Sequence, residues 1–212
     1  MRTDASTLLT ESLPTLSCAV ACAPRAGEAD SGDLSLVRQT DRGVLLAVMD
    51  GAGAGAEAVK TARMAAGVVH RHSGEGVIPL IRLCHETLTG TRGAVISLIS
   101  VDAIENTITW AGVGSIVGVL LRNDVSAPRP YATIPLQAGV VGYRLPRLQA
   151  AVMPVARGDL LILATDGIRR DFVHAFSPDD EPGSIAEYIL SNYPRGNDSR
   201  LVLVARYLGQ RE

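Results

Sequence analysis

Apolar residues recur along the chain at two different spacings. The stretches "TLSCAVACAP" (15–24), "LSLVRQ" (34–39) and "VLLAVMD" (44–50) are short apolar runs bounded by turn-forming residues, a pattern typical of β-strands. Residues 56–72 instead place alanines and valines at helical spacing, and "VIPLIRLCHETL" (77–88) predicts a second helix with Pro79 in its first turn. The first half of the chain therefore predicts three strands followed by two helices.

The period changes again in the second half. "GAVISLISVD" (93–102), "TITWAGVG" (107–114) and "SIVGVLLRN" (115–123) are joined by turns too short for helical crossovers, so these strands must run antiparallel. "LQAAVMPV" (148–155), "DLLILATD" (159–166) and "RLVLVARYL" (200–208) predict further strands, with a helix over residues 184–193. The order favours an α+β fold over the regular alternation of a doubly wound sheet.

Length and composition narrow the class of protein. The 212 residues, 47% hydrophobic and 20% charged, predict one globular domain over residues 1–212. The net charge is −2, and positive and negative residues are interspersed, so the sequence has no basic cluster that would bind nucleic acid or anionic lipid. Without an apolar leader or an 18-residue apolar run, we expect a cytoplasmic protein with no nucleic acid or membrane partner.

Three aspartates lie at the ends of apolar strands. Asp50 and Asp166 each follow a strand and precede a glycine, and Asp198 stands just before the last strand. Each one alone also fits an ordinary turn, but burying unpaired carboxylates is costly, and a cation is a natural remedy. Carboxylates without histidine or cysteine would select a hard divalent ion, Mg²⁺ or Mn²⁺.

The glycines after Asp50 allow a second hypothesis. "GAGAGA" (51–56) satisfies the G-x-G-x-x-G/A spacing of a dinucleotide-binding turn, yet its strand belongs to an antiparallel pattern with no second βαβ half downstream. In the metal hypothesis, the Gly51 carbonyl can approach an ion, and Gly53 and Gly55 allow a sharp turn before the helix. The N-terminus of that helix would favour a nearby anion. We therefore favour the metal site, which suits phosphoryl chemistry.

Two other hydrolase classes lack their motifs. A cysteine phosphatase needs an arginine six residues after its nucleophile, and none of the three cysteines has one. A serine hydrolase of the elbow type needs G-x-S-x-G, which is absent from the sequence.

Four motifs together resemble a known family. "SGD" (31–33), "DGAGAG" (50–55), "ATDG" (164–167) and "NDSRLVLV" (197–204) are similar, in order and spacing, to metal-dependent serine/threonine phosphatases of the protein phosphatase 2C type. The resemblance is strongest to the bacterial sporulation-phosphatase (SpoIIE-like) branch and its stand-alone stressosome phosphatases, and it covers about residues 15–208. It implies a four-layer αββα sandwich of two antiparallel sheets flanked by helices.

The resemblance also implies roles for individual residues. Asp50 would bridge two Mn²⁺ or Mg²⁺ ions, the Gly51 carbonyl would complete the shell of the first ion, and Asp166 and Asp198 would hold the second. Asp33 matches an acidic residue that acts near the first ion through water. The expected substrate is a phosphorylated STAS-domain regulatory protein of a stressosome-type complex.

The sequence departs from the family pattern at several positions. Only the first aspartate of the usual Asp-Asp-Met-Thr motif remains, at Asp198, and Ser115 stands where larger relatives carry an aspartate that serves a third ion. No residue clearly matches the phosphate-binding arginine, although Arg25 lies in its region. Arg169 and Arg170 could contact a substrate or form a solvated helix start. The alternative function is a catalytically decayed binding module of the same fold.

Overall fold

The computed structural model describes residues 7–124, 131–133, 136–174 and 176–210. In chain order, the strands and helices are β1 (Thr7–Ser12), β2 (Leu16–Ala23), β3 (Asp33–Thr40), β4 (Gly43–Gly51), α1 (Gly55–Arg71), α2 (Val77–Leu88), β5 (Ala94–Asp102), β6 (Thr107–Val113), β7 (Val117–Leu121), β8 (Tyr131–Ala132), β9 (Ala151–Pro154), β10 (Leu160–Ala164), a 3₁₀ turn (Arg170–His174), α3 (Pro182–Asn192) and β11 (Arg200–Tyr207).

The strands form two antiparallel sheets. One has the order β1-β2-β11-β10-β7-β8 and the other the order β3-β4-β5-β6-β9. In the second sheet, β3, β4, β5 and β6 are neighbours in chain order. Short turns join β3 to β4 and β5 to β6, whereas α1 and α2 connect β4 to β5. Among the described residues, all the paired strands named above are antiparallel. The short turn between β5 and β6 gives the predicted antiparallel pair, whereas β7, which follows β6 after an equally short turn, pairs with β10 in the other sheet.

The apolar strand β4 explains the layering. Val44, Leu46 and Val48 pack into the cluster between the sheets, which also contains Trp110 and Tyr207. The alternate residues of β4 pack under α1 and α2. Because both faces of β4 are covered, its sequence is a continuous apolar run rather than an alternation.

Helix α3 covers the outer face of the other sheet through Ile185, Ala186 and Ile189. The layers are therefore helix pair, sheet, sheet and helix, which confirms the predicted αββα sandwich. Among the described residues, no helix is both long and apolar enough to cross a membrane.

The boundaries differ from the sequence predictions at a few places. Strand β1 was not predicted, because all six of its residues are exposed and show no alternation of buried and exposed positions. It also lies before residue 15, where the resemblance to the phosphatase family was expected to begin. The predicted strand 148–155 is shorter, and the third helix begins at Pro182 rather than at residue 184. The single domain over residues 1–212 stays a prediction.

Candidate metal centre

The predicted aspartates meet at one edge of the two sheets. Asp33 begins β3 and faces Asp50 at the end of β4 in the antiparallel register. Asp166 follows β10 and Asp198 precedes β11, and these two strands also pair antiparallel. All four side chains line a cleft of about 270 Å³, together with Arg25, Glu28, Gly32, Ala52, Gly53, Ala54, Gly55, Ala58, Val95, Ser115 and Ser199.

Asp33 and Asp50 form the buried side of the cleft. Asp33 is 4% exposed and accepts a hydrogen bond of 2.7 Å from the Thr165 hydroxyl. That hydroxyl in turn accepts a bond of 2.9 Å from the backbone N–H of Leu201, so β11 is tied to the site. Asp33 also hydrogen-bonds to Asp50 directly. Two carboxyls in this arrangement must share a proton unless a cation lies beside them.

The electrostatics of this pair are unfavourable for two negative charges. Burial raises the pKa of Asp50 most, and the negative charges of Asp33, Asp166 and Asp198 raise it further. Burial also raises the pKa of Asp33, against the opposing effect of the hydrogen bond from Thr165. The deepest part of the cleft therefore has an excess of negative charge.

Asp166 and Asp198 form the open side of the cleft, where both are exposed. The hydroxyl of Ser115 donates a hydrogen bond of 3.2 Å to Asp166 Oδ2. The Arg25 Nε atom lies 3.7 Å from Asp198 Oδ1, and the Arg25 backbone N–H donates to the hydroxyl of Ser199. The structure thus places Arg25 at the site, a position that the sequence indicated only by region.

The glycines shape the loop between β4 and α1. A Cβ atom on Gly51 would come within 2.1 Å of the backbone oxygen of Ala58, so only glycine allows the end of β4 to pack against α1. Gly53 and Gly55 have φ values of +110° and +67°, in the left-handed region that glycine favours. The predicted sharp turn before the helix is confirmed.

The anion at the N-terminus of α1 comes from the chain itself. The Gly55 N–H donates a hydrogen bond of 3.2 Å to Glu28 Oε2, and the N-cap residue Ala54 supplies no side-chain cap. The Glu28 carboxylate therefore already lies where a dinucleotide would place its pyrophosphate. The strand before this turn, β4, lies inside an antiparallel sheet. These observations exclude the dinucleotide hypothesis. No motif or periodicity pointed to Glu28, because it lies in an irregular loop between β2 and β3.

Arg169 and Arg170 are not among the residues that line the cleft. The Arg169 Nε atom lies 3.2 Å from Asp171 Oδ1, and its guanidinium lies 5.2 Å from the centre of the Tyr193 ring. Arg170 lines a separate groove beside β7. Their predicted contact with a substrate stays a prediction.

Comparison with known families assigns the chain. The model of the family described as Stage II sporulation protein E (SpoIIE) matches residues 40–192, which include β4 and Asp166. The chain belongs to the SpoIIE family. This assignment confirms the predicted protein phosphatase 2C type and, with it, the class of enzyme, a serine/threonine phosphatase.

Individual relatives agree with the SpoIIE assignment. Phosphoserine phosphatase RsbX of Bacillus subtilis (strain 168) is 23% identical over 145 residues, which are 68% of this chain and 70% of RsbX. The crystal structure of RsbX in complex with magnesium has a TM-score of 0.85 at 17% identity and covers 95% of this chain and 100% of RsbX.

Two further structures share the fold. One is a chain from a study of the bacterial stressosome as a modular system adapted to control secondary messenger signalling. It is 31% identical, with a TM-score of 0.81, and the match covers 90% of this chain and 99% of that one. The Mycobacterium tuberculosis phosphatase PstP, in complex with two manganese ions, has a TM-score of 0.71 at 18% identity over 95% of this chain and 100% of PstP. RsbX and PstP thus bind the ions predicted here.

The donor atoms of this SpoIIE-family site suit such ions. In the part of the chain that the structure describes, no three carboxylate, histidine or cysteine side chains converge on a single point. The predicted arrangement has Asp50 on both ions, with the Gly51 carbonyl for the first and Asp166 and Asp198 for the second. All are oxygen donors, as Mg²⁺ and Mn²⁺ prefer. The excess negative charge around Asp50 is what a divalent cation would neutralise, so the residues fit the cofactor.

Proposed function

We propose that this chain is a Mn²⁺- or Mg²⁺-dependent phosphatase that removes phosphate from serine or threonine of a STAS-domain regulatory partner in a stressosome-type complex in the cytoplasm. The observation that carries the proposal is the cleft in which Asp33, Asp50, Asp166 and Asp198 surround a buried excess of negative charge. Membership of the SpoIIE family and the likeness to RsbX support the substrate class.

The proposed mechanism assigns a task to each residue of the cleft. Two divalent ions, when bound, would make a water molecule more acidic and neutralise charge on the phosphoryl oxygens. Asp50 and Gly51 would hold one ion, and Asp50, Asp166 and Asp198 the other, with Asp33 acting through water.

Other side chains orient these carboxylates and receive the substrate. Thr165 fixes Asp33 from the buried side, and Ser115 fixes Asp166 from the open side. Arg25 lies at the mouth beside Asp198 and offers a guanidinium to the phosphoryl group of the substrate. A cleft lined by five carboxylates and one arginine repels a phosphate dianion until cations are bound, so turnover should require metal.

The test is hydrolysis of p-nitrophenyl phosphate with Mn²⁺, with Mg²⁺ or with a chelator. We expect turnover only with metal and a loss of at least about 100-fold in the variants Asp50→Asn and Asp166→Asn, because each removes a carboxylate from the proposed site. Asp41→Asn is the matched control, since Asp41 is exposed in the turn between β3 and β4. Release of phosphate from a phosphorylated STAS-domain protein then tests the partner.

If the folded protein hydrolysed neither substrate with either metal, the result would contradict the proposal and favour the decayed binding module. The convergence of Asp50, Asp166 and Asp198 on one cleft argues against that alternative.

A further inference from the structure

A second groove runs along α1 beside the metal centre. Its volume is about 590 Å³, more than twice the 270 Å³ of the cleft. It shares Glu28 and Gly55 with the cleft, and the hydrogen bond between these two residues forms the wall that separates them. Its other lining residues are Ala29, Asp30, Ala56, Val59, Lys60, Arg63 and Met64. The side chain of Glu28 therefore lies between the groove and the cleft, which are direct neighbours.

The groove has an apolar floor and a charged rim. Ala56, Val59 and Met64 supply the floor from α1, and Val59 is 6% exposed. On the rim, the Arg63 Nη2 atom lies 3.8 Å from Asp30 Oδ2, so that guanidinium has an acidic partner within the chain.

Lys60 differs from Arg63. It is exposed on the rim, and among the described residues no carboxylate lies within ion-pairing distance of its ammonium group. It is also the single lysine of the sequence, in which all other cationic side chains are arginines or histidines. An apolar trough with one unpaired cation at its rim is complementary to an apolar side chain followed by an acidic one.

We propose that this groove binds the segment of the phosphoprotein substrate that flanks the phosphorylated residue, with an apolar side chain on Val59 and Met64 and an acidic side chain at Lys60. The inference rests on the proposed function, because the phosphoryl group must first occupy the cleft. The groove shares Glu28 and Gly55 with the cleft, and an extended segment advances about 3.3 Å per residue, so a side chain a few positions from the phosphoserine would pass Glu28 and enter the groove.

The test uses the full chain with Mn²⁺ and a set of phosphoserine nonapeptides. Each is alanine at the remaining positions, with one leucine placed in turn at the four positions on either side and with or without a neighbouring glutamate. We expect leucine on one side of the phosphoserine to raise kcat/KM about 5- to 10-fold, and the adjacent glutamate to raise it about 3-fold further.

Two variants assign these preferences to the groove. Ala56→Phe fills the groove from an exposed position and should remove the preference for leucine. Lys60→Glu should reverse the preference for glutamate, whereas Arg71→Glu, an equal change of charge on the same helix outside the groove, should keep both preferences. All three variants should hydrolyse p-nitrophenyl phosphate at the rate of the unmodified chain, because that small ester does not reach the groove.

Lys60 also gives a direct measure of binding. After reductive ¹³C-methylation, its dimethylamino signal should shift when the leucine- and glutamate-containing peptide is added to Asp50→Asn protein with Mg²⁺, in which turnover of the peptide should be at least about 100-fold slower. The alanine peptide should leave the signal unchanged.

Failure of the groove and failure of the proposed function give different results. Equal turnover of all peptides, with normal hydrolysis of p-nitrophenyl phosphate, would overturn the groove and leave the phosphatase intact. Absence of any metal-dependent hydrolysis would overturn the proposed function and the inference with it. A dimer in sedimentation equilibrium that Ala56→Phe dissociates would show a second copy of the chain in the groove, which would also overturn the inference.

Discussion

Replacing Asp50 by asparagine should stabilise the metal-free protein while abolishing its response to Mn²⁺. Asp50 is a carboxylate whose pKa rises from 3.8 to about 8, chiefly through burial and then through Asp33, Asp166 and Asp198. An asparagine amide has no charge to bury, and its N–H can donate to Asp33 in place of the shared proton. The substitution therefore removes the cost of the buried charge and also removes the proposed bridging ligand.

The magnitude follows from the linkage between protonation and folding. One pKa unit corresponds to about 1.4 kcal/mol, so a rise of this size amounts to at most about 4 kcal/mol at neutral pH. The pKa in the folded state exceeds that in the unfolded chain, so the folded state binds more protons. The free energy of unfolding is therefore highest at low pH and falls as the pH rises from about 4 to about 8. We expect the variant to exceed the unmodified chain by about 2–4 kcal/mol at pH 8 and by nearly nothing at pH 4.

The assay is urea unfolding followed by the fluorescence of Trp110, the single tryptophan, which is fully buried between the sheets. In chelator, the difference between the two proteins should grow with pH. With Mn²⁺ at 100 times its dissociation constant, the unmodified chain should gain about 2.7 kcal/mol and the variant little.

Asp41→Asn serves as the control and should stay within about 0.5 kcal/mol of the unmodified chain, because Asp41 is exposed. If Asp50→Asn were less stable than the unmodified chain in chelator at pH 8, or if the difference did not depend on pH, the electrostatic account of the site would be refuted.

Three further substitutions test the surroundings of the metal centre. Arg25→Ala should raise KM for p-nitrophenyl phosphate about 10-fold with kcat changed less than about 3-fold, because we propose that the guanidinium beside Asp198 contacts the substrate. Steady-state kinetics showing a loss in kcat alone would contradict this. Ser115→Ala should weaken Mn²⁺ binding, measured by calorimetry, by about 10-fold, since Asp166 loses its hydrogen bond; unchanged affinity would argue against this role. Thr165→Val should lower the free energy of unfolding by about 2 kcal/mol in urea, because buried hydrogen-bonding partners on β3 and β11 are left unpaired. Thr165→Ser keeps the hydroxyl and should retain most of the stability.

The sequence by itself determined most of the elements and the family of this protein. The spacing of apolar residues, with a period of 2 in strands and 3.6 in helices, reflects which side chains are buried. Together with the glycines and polar turns between the apolar runs, this spacing predicted β4, α1, α2 and the antiparallel strands that follow. Asp50 and Asp166 were visible for the same reason, since each interrupts an apolar run at its end. Strand β1 left no such record because all six of its residues are exposed.

The tertiary structure alone decided which charged groups meet. Asp33 and Asp50 belong to one sheet and Asp166 and Asp198 to the other, and only the packing of the two sheets brings the pairs into one cleft. Arg25 arrives there because the pairing of Ala23 with Arg200 aligns the end of β2 with the start of β11. Such contacts depend on the register between strands that are distant in the sequence. The periodicity of apolar residues reflects mainly the burial of each residue within its own strand or helix. Periodicity therefore predicted the strands but could not predict which charged groups these strands bring together.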